Sequence, residues 1–115
     1  MTGASGGIGA GLVEGFLGEG YNVVATSRHA SQKLTASGSL VLVDGDISNQ
    51  QTAVRPVEAA INTFGAIDVP VNNAGIFLTK PLNDFTLEDF DALVSTNLLG
   101  FFHITQRTVK EMLFC

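Results

Sequence analysis

TGASGGIG, Thr2 to Gly9, is the stretch whose reading decides the fold. Its four glycines, Gly3, Gly6, Gly7 and Gly9, run into a segment where Ile8, Leu12, Val13, Phe16 and Leu17 share one helical face and Gly20 supplies the stop. A loop of this kind turns where a residue takes positive φ and lets backbone approach an anion where no Cβ intervenes. A third small residue lets the helix pack closely on a sheet. The helix then aims its free N–H groups and positive dipole end at the anion. The dipole contributes only about 0.3–1 kcal/mol, so several backbone hydrogen bonds must carry the affinity together. Alone, such a loop is also compatible with a plain flexible turn. It normally follows a buried strand, yet only Met1 precedes it here.

Outward from the loop, helix and strand alternate. Tyr21 to Thr26 (YNVVAT) reads as a short buried strand, residues 29–38 as a loop or frayed turn, and Leu40 to Val43 (LVLV) as a second strand. From Asn49 to Phe64, residues Ala53, Val57, Ala60, Ile61 and Phe64 keep helical spacing, with Gly65 ending the helix. Ile67 to Val71 (IDVPV) is a third strand candidate, followed by a loop containing Pro81. Thr86 and Asp89 resemble a capping box that opens the last helix. Phe90, Leu93, Val94, Leu98, Phe101 and Thr105 share a face there, continuing toward Val109 and Met112. The alternation predicts an α/β fold with a parallel sheet, as one domain over residues 1–115.

The chain has 115 residues, is 45% hydrophobic and 15% charged, and so has the balance of a globular domain with one core. Net charge is -5 and the 6 basic residues are scattered, leaving no patch to neutralise nucleic-acid phosphates. No apolar run approaches the roughly 18 residues of a membrane span, and no charged-then-apolar leader is present. The one cysteine, Cys115, rules out a disulfide within these residues and any cysteine-rich metal site. These features fit a cytoplasmic protein with no metal site.

Three ordered motifs carry the reading further. Thr2, Gly3, Gly7 and Gly9 hold the spacing Thr-Gly-x-x-x-Gly-x-Gly, NNAG (Asn72 to Gly75) follows the third strand, and STNLLGFF (Ser95 to Phe102) lies in the last helix. In this order the chain resembles the N-terminal, cofactor-binding half of the short-chain dehydrogenase/reductase family, classical type, over nearly its whole length. The resemblance implies a Rossmann-type doubly wound parallel sheet binding a nicotinamide dinucleotide, truncated here, with the first strand and the C-terminal half missing. It is read as a fragment of a longer reductase-like protein.

The resemblance implies that Gly3, Ser5, Gly7, Ile8 and Gly9 lie under the pyrophosphate. Where NAD-preferring members usually carry an acid for the ribose hydroxyls, this chain has Ser27 and then Arg28. An acid would repel a 2′-phosphate, whereas arginine clasps one with a planar fork. The expected cofactor is therefore NADP(H) rather than NAD(H), the alternative being that Arg28 is a solvated surface residue. Asp46 and Ile47 match the family's adenine contact, Asp46 accepting from the exocyclic amine and Ile47 donating through its backbone. Asp46 or Ser48 equally reads as a cap for the next helix. Asn73, Ala74 and Gly75 fall near the nicotinamide ribose, while Asn72 reads chiefly as a structural bridge between strands. Asn97 looks like the first member of the catalytic Asn-Ser-Tyr-Lys set, interrupting its helix and holding a water for a proton relay. The alternative is a packing asparagine on the apolar face, where burial without partners would cost about 1–3 kcal/mol.

The departures from the family are as informative. Its tyrosine acid sits in a Tyr-x-x-x-Lys segment, where the lysine and the nicotinamide charge lower its pKa. The one tyrosine here is Tyr21, with Ala25 four residues later. The catalytic serine, tyrosine and lysine are thus absent from these residues. The expected function is the NADP(H)-binding portion of an oxidoreductase acting on a small carbonyl or alcohol substrate, inactive as an isolated chain. The alternative is a non-catalytic nucleotide-binding or self-assembling fragment. Pro70 cannot donate to a ladder and marks an edge, a bulge or a drifted sequence. Without the first strand two strand edges are bare, and the apolar face from Phe90 to Met112 is partly so, which predicts a homo-oligomer.

Overall fold

The protein is described by a computed structural model over residues 1–75 and 81–113. Helix α1 (Gly7–Gly18) leads to strand β1 (Val23–Ser27), the one-turn helix α2 (Ala30–Lys33), strand β2 (Leu40–Asp44) and helix α3 (Gln50–Phe64). A single 3-10 turn at Leu82–Asp84 precedes α4 (Leu87–Val94), which runs through a π-helical segment, Ser95–Leu99, into α5 (Gly100–Met112). The expected Pro81 loop lies partly, and Cys115 wholly, outside the described residues.

Strands β1 and β2 are parallel, paired from Val23 opposite Leu40 to Ser27 opposite Asp44. Side chains alternate across them. Val23, Ala25 and Leu40 pack with Ala4 and with Val13 of α1. On α1 the buried side is centred on Gly9 and Val13, while Ile8, expected on that face, is 76% exposed. A second core unit joins Ile47, Ala53 of α3 and Ile104 of α5. The architecture is α/β with a parallel sheet of two strands, a truncated Rossmann fold.

The reading of residues 29–38 as loop or frayed turn needs one amendment, since Ala30–Lys33 closes a helical turn. The Asp44 carboxylate organises it, accepting from the Ser31 N–H at 2.8 Å and from the Ser31 hydroxyl. These bonds, the hydroxyl first, hold the Asp44 pKa below its ordinary value. IDVPV departs further from expectation, for no strand forms over residues 67–71. The physical cause is a missing ladder partner. Thr2 makes one parallel bridge with Thr26, and its N–H donates to the Val71 carbonyl at 3.0 Å. The Met1 amine donates to the Val24 carbonyl at 2.7 Å, and the Thr26 N–H donates to the Met1 carbonyl at 2.9 Å. Two residues thus occupy the central strand position and hold β1 and the 67–71 segment apart by one strand width.

Helix α3 is capped by Asn49, whose side chain accepts from the Gln51 N–H at 3.0 Å and the Thr52 N–H at 3.4 Å. Neither Asp46 nor Ser48 takes that role. Gly65, at φ 85°, ends the helix in the left-handed conformation that glycine adopts without a steric penalty. The capping box on α4 forms, with the Asp89 N–H donating to Thr86 Oγ1 at 3.1 Å and the Thr86 N–H to the Asp89 carboxylate at 3.0 Å.

Beyond it the buried stripe differs from the expected one. The buried residues of α5 are Gly100, Ile104 and Thr108, whereas Leu98 and Phe101 are 58% and 47% exposed. The π turn ends the steady 100° count on which helical periodicity rests. Ile47 then selects the packed face: a Cβ on Gly100 would lie 2.7 Å from Ile47 Cδ1, so only glycine admits that side chain.

Candidate functional site

The residues singled out by motif follow the C-terminal ends of successive extended segments. The glycine loop follows Met1–Thr2, Ser27 and Arg28 close β1, Asp46 and Ile47 follow β2, and Asn72–Gly75 follow Val71. Loops at that end of a parallel sheet are where α/β proteins place their ligands.

Thr2 ties the site together. Its buried hydroxyl oxygen accepts from the Asn73 N–H and the Ala74 N–H, both at 3.0 Å. Asn73 returns the contact, its side-chain amide donating to the Gly3 carbonyl at 3.1 Å. Gly3 takes φ 61°, and a Cβ there would sit 2.8 Å from Ala74 Cα. At Gly9 a Cβ would stand 1.9 Å from the Gly3 carbonyl oxygen, so α1 and the loop close on each other without room for a side chain. Gly6 and Gly7 are the opposite case. No atom lies within 4 Å of a Cβ built on either, and both are exposed. Gly6 begins the helix with no side-chain cap, and the first turn carries no acidic residue. Its leading N–H groups therefore face an open surface, and the donor set suits a phosphate-bearing ligand. Ser5 borders this surface half-buried, and Ile8 stands exposed beside it.

The Ser27 hydroxyl is buried and finds no hydrogen-bond partner among the described residues. Arg28 next to it is exposed. The Asp46 carboxylate is held below its ordinary pKa, first by the Ser48 hydroxyl, then by the Ser48 N–H, with the Arg28 charge adding to the effect. Arg28 and Asp46 therefore share one electrostatic neighbourhood. The Asp46–Ser48 bonds, 2.7 Å to the hydroxyl and 3.0 Å to the N–H, make a local turn. Ile47 is buried by its side chain against Gly100 and Ile104.

Asn72 donates to Thr105 Oγ1 at 3.1 Å, so its bridge runs to helix α5 rather than between strands. Asn97 lies within the π turn, so the expected interruption of the helix is present. It is exposed, not buried, and its Oδ1 lies 3.2 Å from where a Cβ on Gly75 would be. The NNAG loop and the Asn97 segment thus meet edge to edge, and glycine at 75 keeps the approach open. Sequence reasoning missed the role of Thr2 as the double acceptor, although its place opening the motif was the available signal. The orphaned Ser27 hydroxyl had no such signal.

Over residues 1–114 the sequence matches the family model for short chain dehydrogenase. The chain belongs to the short-chain dehydrogenase family. Among curated members it is 31% identical to 3beta-hydroxysteroid dehydrogenase 1 of Eggerthella lenta, over 98% of this chain and 46% of that protein. To gluconate 5-dehydrogenase of Gluconobacter oxydans it is 34% identical, over 98% of this chain and 47% of that one. A solved short-chain dehydrogenase/reductase from Brucella melitensis superposes with a TM-score of 0.90 at 30% identity, covering 97% of this chain and 50% of the other. The chain thus spans about half the length of these relatives. As in the family generally, a nicotinamide dinucleotide is the implied cofactor. Among the described residues no helix is long and apolar enough to cross a membrane.

Proposed function

We propose that this chain is the NADP(H)-binding portion of an oxidoreductase that moves a hydride between nicotinamide and a carbonyl or alcohol carbon. The observation that carries the reading is the open Gly6–Gly7 surface, held in place by Thr2 and Asn73 and flanked by Asn97 across Gly75. Gly3, Ser5, Gly7, Ile8 and Gly9 would hold the pyrophosphate, Asp46 and Ile47 the adenine, and Asn73, Ala74 and Gly75 the nicotinamide ribose. When bound, the dinucleotide supplies or accepts the hydride. Asn97, exposed at the π turn, would position a water for the proton that accompanies it.

The preference for NADP(H) rests on Arg28 and on the Ser27 hydroxyl, which offers an unused donor and acceptor where a 2′-phosphate would lie. Calorimetry with NADPH and NADH tests both parts. Micromolar binding, tighter for NADPH, is expected, and Arg28→Ala should weaken NADPH by about 10-fold while leaving NADH nearly unchanged. Equal affinity for the two cofactors would refute the Arg28 assignment.

These 115 residues contain no Tyr-x-x-x-Lys segment, and Tyr21 lies two residues before β1, where it packs edge-on against Phe16 with ring centroids 5.2 Å apart. The polypeptide on its own is therefore proposed to bind cofactor without turnover. A second reading, self-assembly, is favoured by the exposed apolar side chains along α4 and α5: Phe90 is 58% exposed and Phe102 50%. Light scattering at micromolar concentration should give a mass above that of one chain, and a monomer mass would remove this second reading.

A further inference from the structure

Gly100, the first residue of α5, is buried, while its neighbours Leu99 and Phe101 are 40% and 47% exposed. Removal of apolar surface from water would by itself turn either neighbour inward and the glycine outward. We propose that Ile47 is the positioning residue that holds this rotation of the helix. Its side chain, seated in the Gly100 notch, fixes the π turn and keeps Asn97 facing Gly75. What that placement does for a proton rests on the role proposed for Asn97.

The contact admits only glycine. A Cβ on residue 100 would lie 2.7 Å from both Cγ1 and Cδ1 of Ile47 and 3.6 Å from its Cβ, so the side chain beyond Cβ is what fills the notch. Successive residues of a helix stand about 100° apart. A rotation by one residue would set Leu99 or Phe101 where even a Cβ finds no room. Gly100 also closes the π turn, its N–H donating to the Ser95 carbonyl, one residue further back than an α-helix reaches. The residue that meets Ile47 is therefore the one whose amide makes the turn wide.

Ile47 acts on both sides of the Asn97 approach. Helix α4 and the π turn contain no buried residue, and the buried stripe of Gly100, Ile104 and Thr108 starts where the turn ends. Asn97 is thus held from its C-terminal side, at the notch. Facing it, Ala74 packs against the cluster of Ile47, Ala53 and Ile104. Ala74 precedes Gly75, whose Cβ position lies 3.2 Å from Asn97 Oδ1. Ile47 is itself well fixed. The Asp46 carboxylate accepts from the Ser48 N–H and hydroxyl, which closes a turn over the residue between them.

NMR of the isotopically labelled 115-residue chain tests this without ligand. Scalar coupling through the hydrogen bond is expected from the Gly100 N–H to the Ser95 carbonyl. In Ile47→Ala it should pass to the Thr96 carbonyl, and the Asn97 side-chain amide signals should move, because Leu99 or Phe101 can enter the vacated space. Ile104→Val thins the same cluster one turn further along and should leave both readouts unchanged, so loss of core volume alone does not produce the effect. Gly100→Ala should shift the unfolding equilibrium about 10-fold or more toward the unfolded chain. In the Ile47→Ala background the same change should cost less than about 2-fold, a non-additivity expected of groups in contact. Retention of the Ser95 coupling with unmoved Asn97 signals in Ile47→Ala would overturn the proposal, as would an additive cycle. Should Ile47→Ala fold poorly, Ile47→Val removes Cδ1 alone, and an unweakened Ser95 coupling there counts equally against it. NADPH titrated into the unmodified chain separates the two readings: absence of binding removes the cofactor site, while the ligand-free couplings still decide the role of Ile47.

Discussion

The two ends of the β1 strand are finished in opposite ways. At its C-terminal end the segments meet closely: Gly9 against the Gly3 carbonyl, Gly3 against Ala74, and the Thr2 hydroxyl under two N–H groups of the NNAG loop. At its N-terminal end β1 and the 67–71 segment are separated by a cavity, and among the described residues Met1 and Thr2 carry the backbone hydrogen bonds that join them. The loop keeps its shape because Thr2 and Gly3 meet the NNAG loop directly, whereas a strand needs a partner along its whole length.

The sharpest way to break this contrast is at Gly9. Gly9→Val forces a side chain into a space where a Cβ alone would stand 1.9 Å from a carbonyl oxygen. A loss of about 3 kcal/mol in urea unfolding is expected. Gly11→Ala in the same helix, with nothing within 4 Å of its Cβ, should instead gain about 0.5–1 kcal/mol. If both variants behaved alike, the loop would not be packed as described.

The N-terminal end is tested by pH. Burial lowers the Met1 amine from 8.0 to about 6 in the fold. Between those values the unfolded chain holds more protons than the folded one, so stability rises from pH 6 to pH 8 and falls as the pH drops. The expected gain is about 2–3 kcal/mol. Acetylating Met1 should flatten the profile, and an unchanged slope would locate the titration elsewhere.

Smaller effects separate the links between loops. Thr2→Val removes one acceptor from two N–H groups and should cost about 2 kcal/mol. NADPH affinity should fall with it, because the NNAG loop loses its anchor. Asn72→Ala removes an exposed bond to Thr105 and should cost about 0.5 kcal/mol without touching cofactor affinity. A larger loss for Asn72→Ala than for Thr2→Val would reverse the assignment of anchor and strut.

Much of the fold was legible because it depends on local chemistry. The capping box at Thr86, the stop at Gly65 and the helix over residues 50–64 all rest on contacts within a few positions, and all formed. IDVPV had the composition of a strand and did not become one, because a strand is defined by its neighbour. Ile8 and Phe101 were assigned to buried faces by periodicity. The first instead borders the open loop surface, and the second lies just beyond a π turn that periodicity cannot register. Within the candidate site the glycines, NNAG and Asn97 were visible as motifs, whereas the orphaned Ser27 hydroxyl was not, since an unsatisfied group is known only once its surroundings are.

By itself, then, the sequence determined the α/β class, the glycine loop, the family and the residue types offered to a dinucleotide, because spacing and glycine placement encode them directly. Only the tertiary structure decided that Thr2 joins two loops 71 residues apart, that Ile47 seats in the notch at Gly100, and that Asn72 bridges to Thr105 of α5. Those outcomes depend on which backbones come within hydrogen-bonding reach across the sheet, a relation between distant residues that no local pattern contains.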